Sequence, residues 1–538
     1  DYKVTGVQTC ALPIFFSRDA DKAMYRPLLL ATLALNHAWS GYEPYSYHLI
    51  NWALHALCAL LVWGILLGAQ RPPCLALLGG LLFALHPLCS EPVNYISSRS
   101  ELLAATGALA ALWLYMRDRE IGAYGSLVLS LLCFTAGLFA KSVAIVAPVW
   151  LVAWDVQRGR GVRWLRYLPY GMVALGYLAL VGQALERAVL GEPVRTMGVQ
   201  LATQAKALVY YVYLAWSPFH LSVDHAFAES KPADPLVWLA LFALVSCVVV
   251  VLRCRGEYLG WVLALSALLP TLIVPLNVLV NEHRLYLPVA GLAIVLTGIR
   301  GLERVPGMGL GAPLLLCMLS ALTLQRNADW RDEFSLWSAA HRSNPHSVRP
   351  LVYMGNAARS EGDAARARMA YGKALELDPQ NAVVLAGLGG VFMDGGQLDQ
   401  SIELYARALE AQPAMVDLHY SLARALQEGG RYTEARRHYA ALDGNSPHRS
   451  IALNNIGTTF ELQGTVDSAL VYYRRSAEGG ALDGRRNLER LVARSVAEAE
   501  QALEAGDWPR VERAARAALR GDRQHAYARF FLSVSLLQ

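Results

Sequence analysis

"PQNAVVLAGLGGVFMDGGQLDQSIELYARALEAQ", residues 379–412, is one turn of a pattern that returns every 34 residues. Proline recurs at Pro345, Pro379, Pro413 and Pro447, glycine at Gly362, Gly396, Gly430 and Gly464, and tyrosine at Tyr371, Tyr405, Tyr439 and Tyr473. Small residues stand at Gly355, Gly389, Ala423 and Gly457, and again at Ala367, Ser401, Ala435 and Ala469. Agreement at five positions over four units is not chance, and a period of this length means stacked units sharing one core. Small residues let the two helices of a unit approach, and the glycine frees the turn between them. The tyrosine fills the interhelical core. The proline opens the next unit, where a missing N–H costs little. These are packing positions, not a ligand box. After Gly464 the period slips, and "AEQALEAGDWPRVERAARAAL" (499–519) reads as a degenerate unit with Gly506 in its turn.

Upstream the chemistry changes. The chain is 55% hydrophobic and 17% charged, and its mean hydropathy is +0.30. Both figures are set by the residues before about 325, where Leu, Ala and Val run in blocks and charge is confined to short gaps. Crossing ~30 Å of hydrocarbon takes roughly 20 apolar residues. The runs predict spans over 46–68, 74–89, 101–116, 123–139, 142–156, 167–185, 235–252, 258–275, 286–300 and 308–325. The segment 207–218 is either an eleventh span or a helix lying in the interface. The expected fold is all-α: a multi-pass membrane bundle over 15–326, four repeats over 345–480, and a degenerate repeat with a truncated C-terminus over 481–538. Residues 1–14, "DYKVTGVQTCALPI", have no basic start and no long apolar core. They are not a leader peptide and read as non-native sequence at a shortened N-terminus.

Five alternating short loops hold eleven arginines: Arg71, Arg117, Arg119, Arg158, Arg160, Arg163, Arg166, Arg253, Arg255, Arg300 and Arg304. The positive-inside bias makes those loops cytoplasmic. The other face carries a different set. "HPLCSEPVNYISSRSELL" brings His86, Glu91, Arg99 and Glu101 to the membrane edge, "FAKSV" adds Lys141, "VNEHRLYLP" (280–288) adds Glu282, His283 and Arg284, and "MYRPL" adds Tyr25 and Arg26. One such residue alone reads as a cap or a snorkelling side chain. Acids, bases and an imidazole gathered on one face predict a lined polar site.

The eight cysteines all precede the repeats and form no CxxC pair, so they read as small apolar residues rather than metal ligands or disulfides. No metal-ligand spacing is visible, and a divalent-ion requirement is left open. The net charge of +5 is spread without a basic, aromatic-interleaved patch, which argues against nucleic acid.

"YRPLLLATLALNHAWSGYEPYSYHLINWALHAL" (25–57), "HPLCSEPVNYISSRSELLAA" (86–105), "AKSVAIVAPVWLVAWD" (140–155), "LAWSPFHLSVDH" (214–225) and "NEHRLYLP" (281–288) occur in that order before 34-residue repeats. Together they resemble the transmembrane and tetratricopeptide-repeat O-mannosyltransferases and their bacterial relatives. The resemblance implies a C-type glycosyltransferase, which takes a mannose-like sugar from a polyprenyl-phosphate carrier. It implies action on the outer or luminal face, with a protein Ser or Thr as acceptor in eukaryotic members; the short loops and the non-native residues 1–14 point to a bacterial inner membrane, with the periplasmic face as the outer one. The repeats there would hold a protein or peptide partner. The family's acidic pair precedes "YRP"; here only Asp19 and Asp21 stand in that region, so the main catalytic acids are expected in a missing N-terminus.

Such transfer needs a carboxylate to take the acceptor's proton and cations to stabilise the departing phosphate. Glu91 is the candidate base, with Asp19 and Asp21 behind it. Arg26, Arg99, Lys141 and Arg284 are the candidate phosphate ligands, and Glu282 would steady them or contact sugar hydroxyls. The competing reading is a non-enzymatic, membrane-anchored repeat scaffold for envelope assembly.

Overall fold

The computed structural model describes residues 26–122, 124–186, 195–253, 258–273, 278–299, 302, 308–442 and 448–538. These are helical, with no β-strand among the described residues. The chain divides into two units, Asp1–Ser347 and Val348–Gln538.

The first unit contains α1 (Pro27–Ser40), α2 (Pro44–Gly68), α3 (Pro73–Ala84), α4 (Ser90–Asn94), α5 (Arg99–Ile121), α6 (Tyr124–Ala140), α7 (Ala147–Gln157), α8 (Trp164–Glu186), α9 (Met197–Trp216), α10 (Pro235–Arg253), α11 (Tyr258–Ser266), α12 (Leu269–Ile273), α13 (Tyr286–Gly298), α14 (Met308–Asp329) and α15 (Glu333–Ser343). Its core runs through α2, α5, α7 and α13, with Trp150, Trp154, Tyr115, Tyr211 and Tyr286 fully buried. One close approach fixes much of the geometry. A methyl on Gly107 would meet the Cys133 carbonyl at 2.6 Å and Gly137 Cα at 2.8 Å. Glycine therefore lets the antiparallel α5 and α6 lie backbone to backbone, the small-residue packing favoured where lipid supplies no hydrophobic drive. The end of α6 then sits beside the start of α5.

Among the described residues, three helices have the length and apolarity to cross a membrane: Pro44–Gly68, Trp164–Gly182 and Gly309–Asp329. A fourth results if Pro73–Ala84 and Pro87–Asn94, bent by 52°, count as one broken span. The outer surfaces of two of these are what lipid contact requires: Leu165, Leu168, Leu175, Leu310, Leu314 and Leu324 are all exposed. Water-facing monomers do not carry apolar faces of that extent. The ten runs expected from the sequence do not all appear as full-length helices. Gly125–Ala140, Ser142–Gln157, Pro235–Val249 and Tyr258–Leu272 are shorter. α13 has 13 residues, about 20 Å of rise. α5 has the length but carries charges at both ends. An apolar run reports burial, and a helix buried in a bundle needs no lipid-matched length. The segment read as 207–218 is part of the longer α9.

In the second unit the pairs are α16 (Val348–Ser360) with α17 (Ala364–Leu377), α18 (Ala382–Asp394) with α19 (Leu398–Ala411), α20 (Val416–Glu428) with α21 (Tyr432–Ala440), and α22 (Arg449–Leu462) with α23 (Val466–Glu478). They are followed by α24 (Leu482–Glu504), α25 (Trp508–Gly521) and α26 (Ala526–Leu537). Gly362, Gly396, Gly430 and Gly464 turn each pair at φ of 79°, 73°, 73° and 74°, and Gly506 does the same at 72°. L residues with a side chain avoid that region. Tyr371, Tyr405, Tyr439 and Tyr473 are buried between the paired helices. Pro447 lies outside the described residues.

Candidate functional site

The centre of the site is the turn that follows residue 280. Glu282–Leu285 form one 3₁₀ turn, opened by Asn281, whose side chain accepts from the His283 N–H. The Asn281 N–H donates to the Tyr211 hydroxyl at 3.0 Å. A 3₁₀ turn spreads successive side chains by about 120°, so three adjacent ionisable residues leave in three directions.

His283 points toward the segment before α5. Its Nδ1 lies 2.9 Å from Glu91 Oε1, and its Nε2 lies 3.7 Å from Glu101 Oε1. Glu101 is in turn paired with Lys141, which the α5–α6 approach delivers. Burial, then the Lys141 charge, push the His283 imidazole down to about 3, so it is neutral at physiological pH. A neutral ring beside a carboxylate donates from Nδ1 and leaves a lone pair on Nε2. Glu91 is buried, and its second oxygen, Oε2, has no hydrogen-bond partner among the described residues. A buried carboxylate oxygen without a donor is costly.

Arg284 turns back along the chain. It donates to the Val278 carbonyl at 2.7 Å, the Leu279 carbonyl at 2.9 Å and the Tyr211 hydroxyl at 3.3 Å. These partners are neutral oxygens, and they fix the guanidinium in place. The charges of Arg26 and Arg284 both act on Lys141 and on His283. Arg26 donates to the Ser100 hydroxyl at 3.4 Å. The structure thus brings Arg26, Glu91, Glu101, Lys141, His283 and Arg284 into one cluster at the end of the bundle where α1, α5 and α6 meet the 280s turn.

Of the other sequence-nominated residues, Arg99 is placed elsewhere, and Glu282 keeps partners of its own although its charge acts on Glu91. Arg99 is wholly buried, donating to Asn51 Oδ1 at 2.9 Å, Asn36 Oδ1 at 2.8 Å and the Thr32 and Tyr47 carbonyls. Its guanidinium lies over the Tyr47 ring, so it ties α1 and α2 to α5 and has no face left for a phosphate. Glu282 points away from Lys141. Its carboxylate takes the Ser222 N–H, His225 Nε2 at 3.1 Å and Arg326 Nη2 at 3.1 Å. Burial alone would raise its carboxyl, but Arg326, His225 and the Ser222 N–H outweigh that and hold it below the usual carboxylate range. His225 and Arg326 were not nominated from sequence, although His225 ends the quoted "LSVDH". Asp19, Asp21 and Tyr25 lie outside the described residues. No group of three or more potential metal ligands occurs among the described residues.

A tetratricopeptide-repeat family model matches residues 358–413 and 392–453. Protein O-mannosyl-transferase F38B6.6 of Caenorhabditis elegans is 26% identical over 380 residues, covering 66% of this chain and 54% of its own. Protein O-mannosyl-transferase TMTC3 of Mus musculus is 24% identical over 426 residues, covering 68% of this chain and 45% of its own. The chain spans about half the length of these curated relatives. The solved structure of MamA is 21% identical and covers 29% of this chain and 90% of its own, with a TM-score of 0.27. The relatives align across most of the chain, and repeats follow the membrane motifs; in both respects the chain is similar to the protein O-mannosyl-transferases.

Proposed function

We propose that the membrane unit moves a mannose-like sugar from a polyprenyl-phosphate carrier to a hydroxyl, a protein Ser or Thr, on the periplasmic face of a bacterial inner membrane. The repeats recruit the acceptor or a partner there. The observation that carries this reading is the cluster itself. Two cations, Arg26 and Arg284, act on a third, Lys141, and His283, on which all three act, is bonded to a buried glutamate, Glu91, that keeps a lone pair unused. The acceptor oxygen forms a bond to the sugar's anomeric carbon as the bond from that carbon to the phosphate oxygen breaks. The electron pair leaves with the phosphate, and the acceptor's proton passes to Glu91. Added negative charge on the phosphate is met by Lys141, as a point charge, and by the Arg forks. His283 donates to Glu91 Oε1 and so aims Oε2.

Binding of undecaprenyl phosphate to the full chain in lipid nanodiscs tests the cation assignment apart from turnover. Lys141→Ala and Arg26→Ala should each weaken binding about tenfold, the scale of one charge-assisted contact. Glu91→Gln should leave binding in place and lower transfer from the mannosyl carrier to a Ser/Thr peptide by ~10²-fold or more. Unchanged lipid binding in both cation variants would remove the donor site and favour the scaffold.

A further inference from the structure

The last helices of the repeat unit hold a second concentration of positive charge. Arg474 on α23 and Arg516, Arg520 and Arg523 on and after α25 line an open groove of about 450 Å³, floored by Val471 and Leu519. Its volume falls in the range of ligand clefts, roughly 300–1,000 Å³. One arginine is fixed in place: Arg474 Nη1 donates to the Arg520 carbonyl at 2.9 Å across the two helices.

Three of the four have carboxylate neighbours: Arg474 with Glu478 at 3.8 Å, Arg516 with Glu512, and Arg520 with Asp467. Arg516 is 55% and Arg520 50% exposed, and exposed pairs of this kind contribute little. A ligand carboxylate can therefore replace Glu512 or Asp467 at small cost. The groove is not polar throughout. Val471 and Leu519 are half-buried between the arginines, so a purely ionic ligand would leave apolar surface uncovered.

We propose that this groove binds an acidic peptide segment with one apolar side chain between flanking carboxylates. The apolar side chain would cover Val471 and Leu519, and the carboxylates would meet the four arginines that line the groove. Arginine clusters recognise acidic motifs in this way. The site lies on α23 and α25 of the second unit and shares no residue with the Lys141 cluster, and the proposal does not need the transfer reaction.

The test uses the full chain in nanodiscs and a fluorescein-labelled pentapeptide, Asp-Glu-Leu-Glu-Asp, followed by anisotropy. Binding should weaken at least roughly tenfold in Arg516→Glu/Arg520→Glu, since like charges across an interface are strongly unfavourable. It should weaken similarly with the amide peptide Asn-Gln-Leu-Gln-Asn. Replacing Leu by Ser in the peptide should cost affinity as well. Lys141→Ala should bind the peptide as the parent does, which separates this site from the carrier site. Both side chains are exposed, so the reversal should leave the repeats folded, checked by helical circular dichroism. No peptide binding by the parent at 1 mM, equal binding of the acid and amide peptides, unchanged binding in the reversal variant, or tighter binding of a single-stranded RNA of equal charge would each overturn the proposal.

Discussion

Arg326→Met should loosen the site without touching it. Glu282 is 1% and Arg326 5% exposed, with their charged atoms 3.1 Å apart. At that separation the attraction is about 5 kcal/mol with an effective dielectric near 20. Removing the cation leaves the carboxylate buried with only the Ser222 N–H and His225, and stranding one member of a buried pair costs about 3–5 kcal/mol. The sign with pH follows. Glu282 titrates below its unfolded value of about 4.3, so its contribution is present above that pH and is lost as pH falls through the folded value. In Arg326→Met that acid-side loss should shrink. All eight cysteines precede the repeats, and Cys58 and Cys89 are buried, so a thiol-reactive dye reports melting of the membrane unit alone. Its midpoint should fall by at least roughly 6 °C, taking about 2 °C per kcal/mol. Glu282→Met/Arg326→Met should recover most of that loss, because an apolar pair avoids both desolvation costs. A double variant melting no higher than Arg326→Met, or a single variant melting like the parent, would refute the clamp.

Three further outcomes follow from the same structure. Between pH 6.5 and about 3 the unfolded chain protonates His283 while the folded one does not. Stability should therefore drop by about 2 kcal/mol from pH 7 to pH 5 through this residue, and His283→Gln should flatten that slope in the dye assay. In the repeats, a methyl at Gly355 would meet the Tyr371 ring at 2.5 Å, at Gly457 the Tyr473 ring at 2.7 Å, and at Gly389 the Tyr405 ring at 3.2 Å. Overpacking costs about 1–3 kcal/mol against about 1 kcal/mol of helix propensity gained. Hydrogen exchange of the full chain should thus show Gly355→Ala most deprotected and Gly389→Ala near parent; equal losses at both would be against it. Leu175, 69% exposed near the middle of Trp164–Gly182, should tolerate arginine poorly, at about 2.5–3.5 kcal/mol in a bilayer. Leu175→Arg should lower the yield of reconstituted protein, whereas Leu536→Arg on the last repeat helix should not.

What the sequence disclosed, and what it withheld, divides along one physical line. Periodic packing is written locally, so Gly362, Tyr371 and their counterparts at 34-residue steps announce the helix pairs before any coordinates. Charge at a membrane edge is also local, which is why Glu91, Lys141 and Arg284 could be set on one face. Pairing is not local. Arg99 and Lys141 look alike in sequence, each a cation near the end of an apolar run, and only the fold separates them. Asn36 and Asn51 consume the Arg99 donors, while Lys141 meets Glu101 and stays within reach of Arg26 and Arg284. The same limit hid Arg326, 44 residues beyond Glu282. A glutamate next to a histidine and an arginine in "NEHR" cannot be buried without a counter-charge, and Arg284, strapped to backbone carbonyls, does not supply one. A second cation therefore had to come from a helix end packed against the turn. Arg326 at the end of α14 meets that requirement, and with Glu282 held by Arg326 the neighbouring His283 pairs with Glu91.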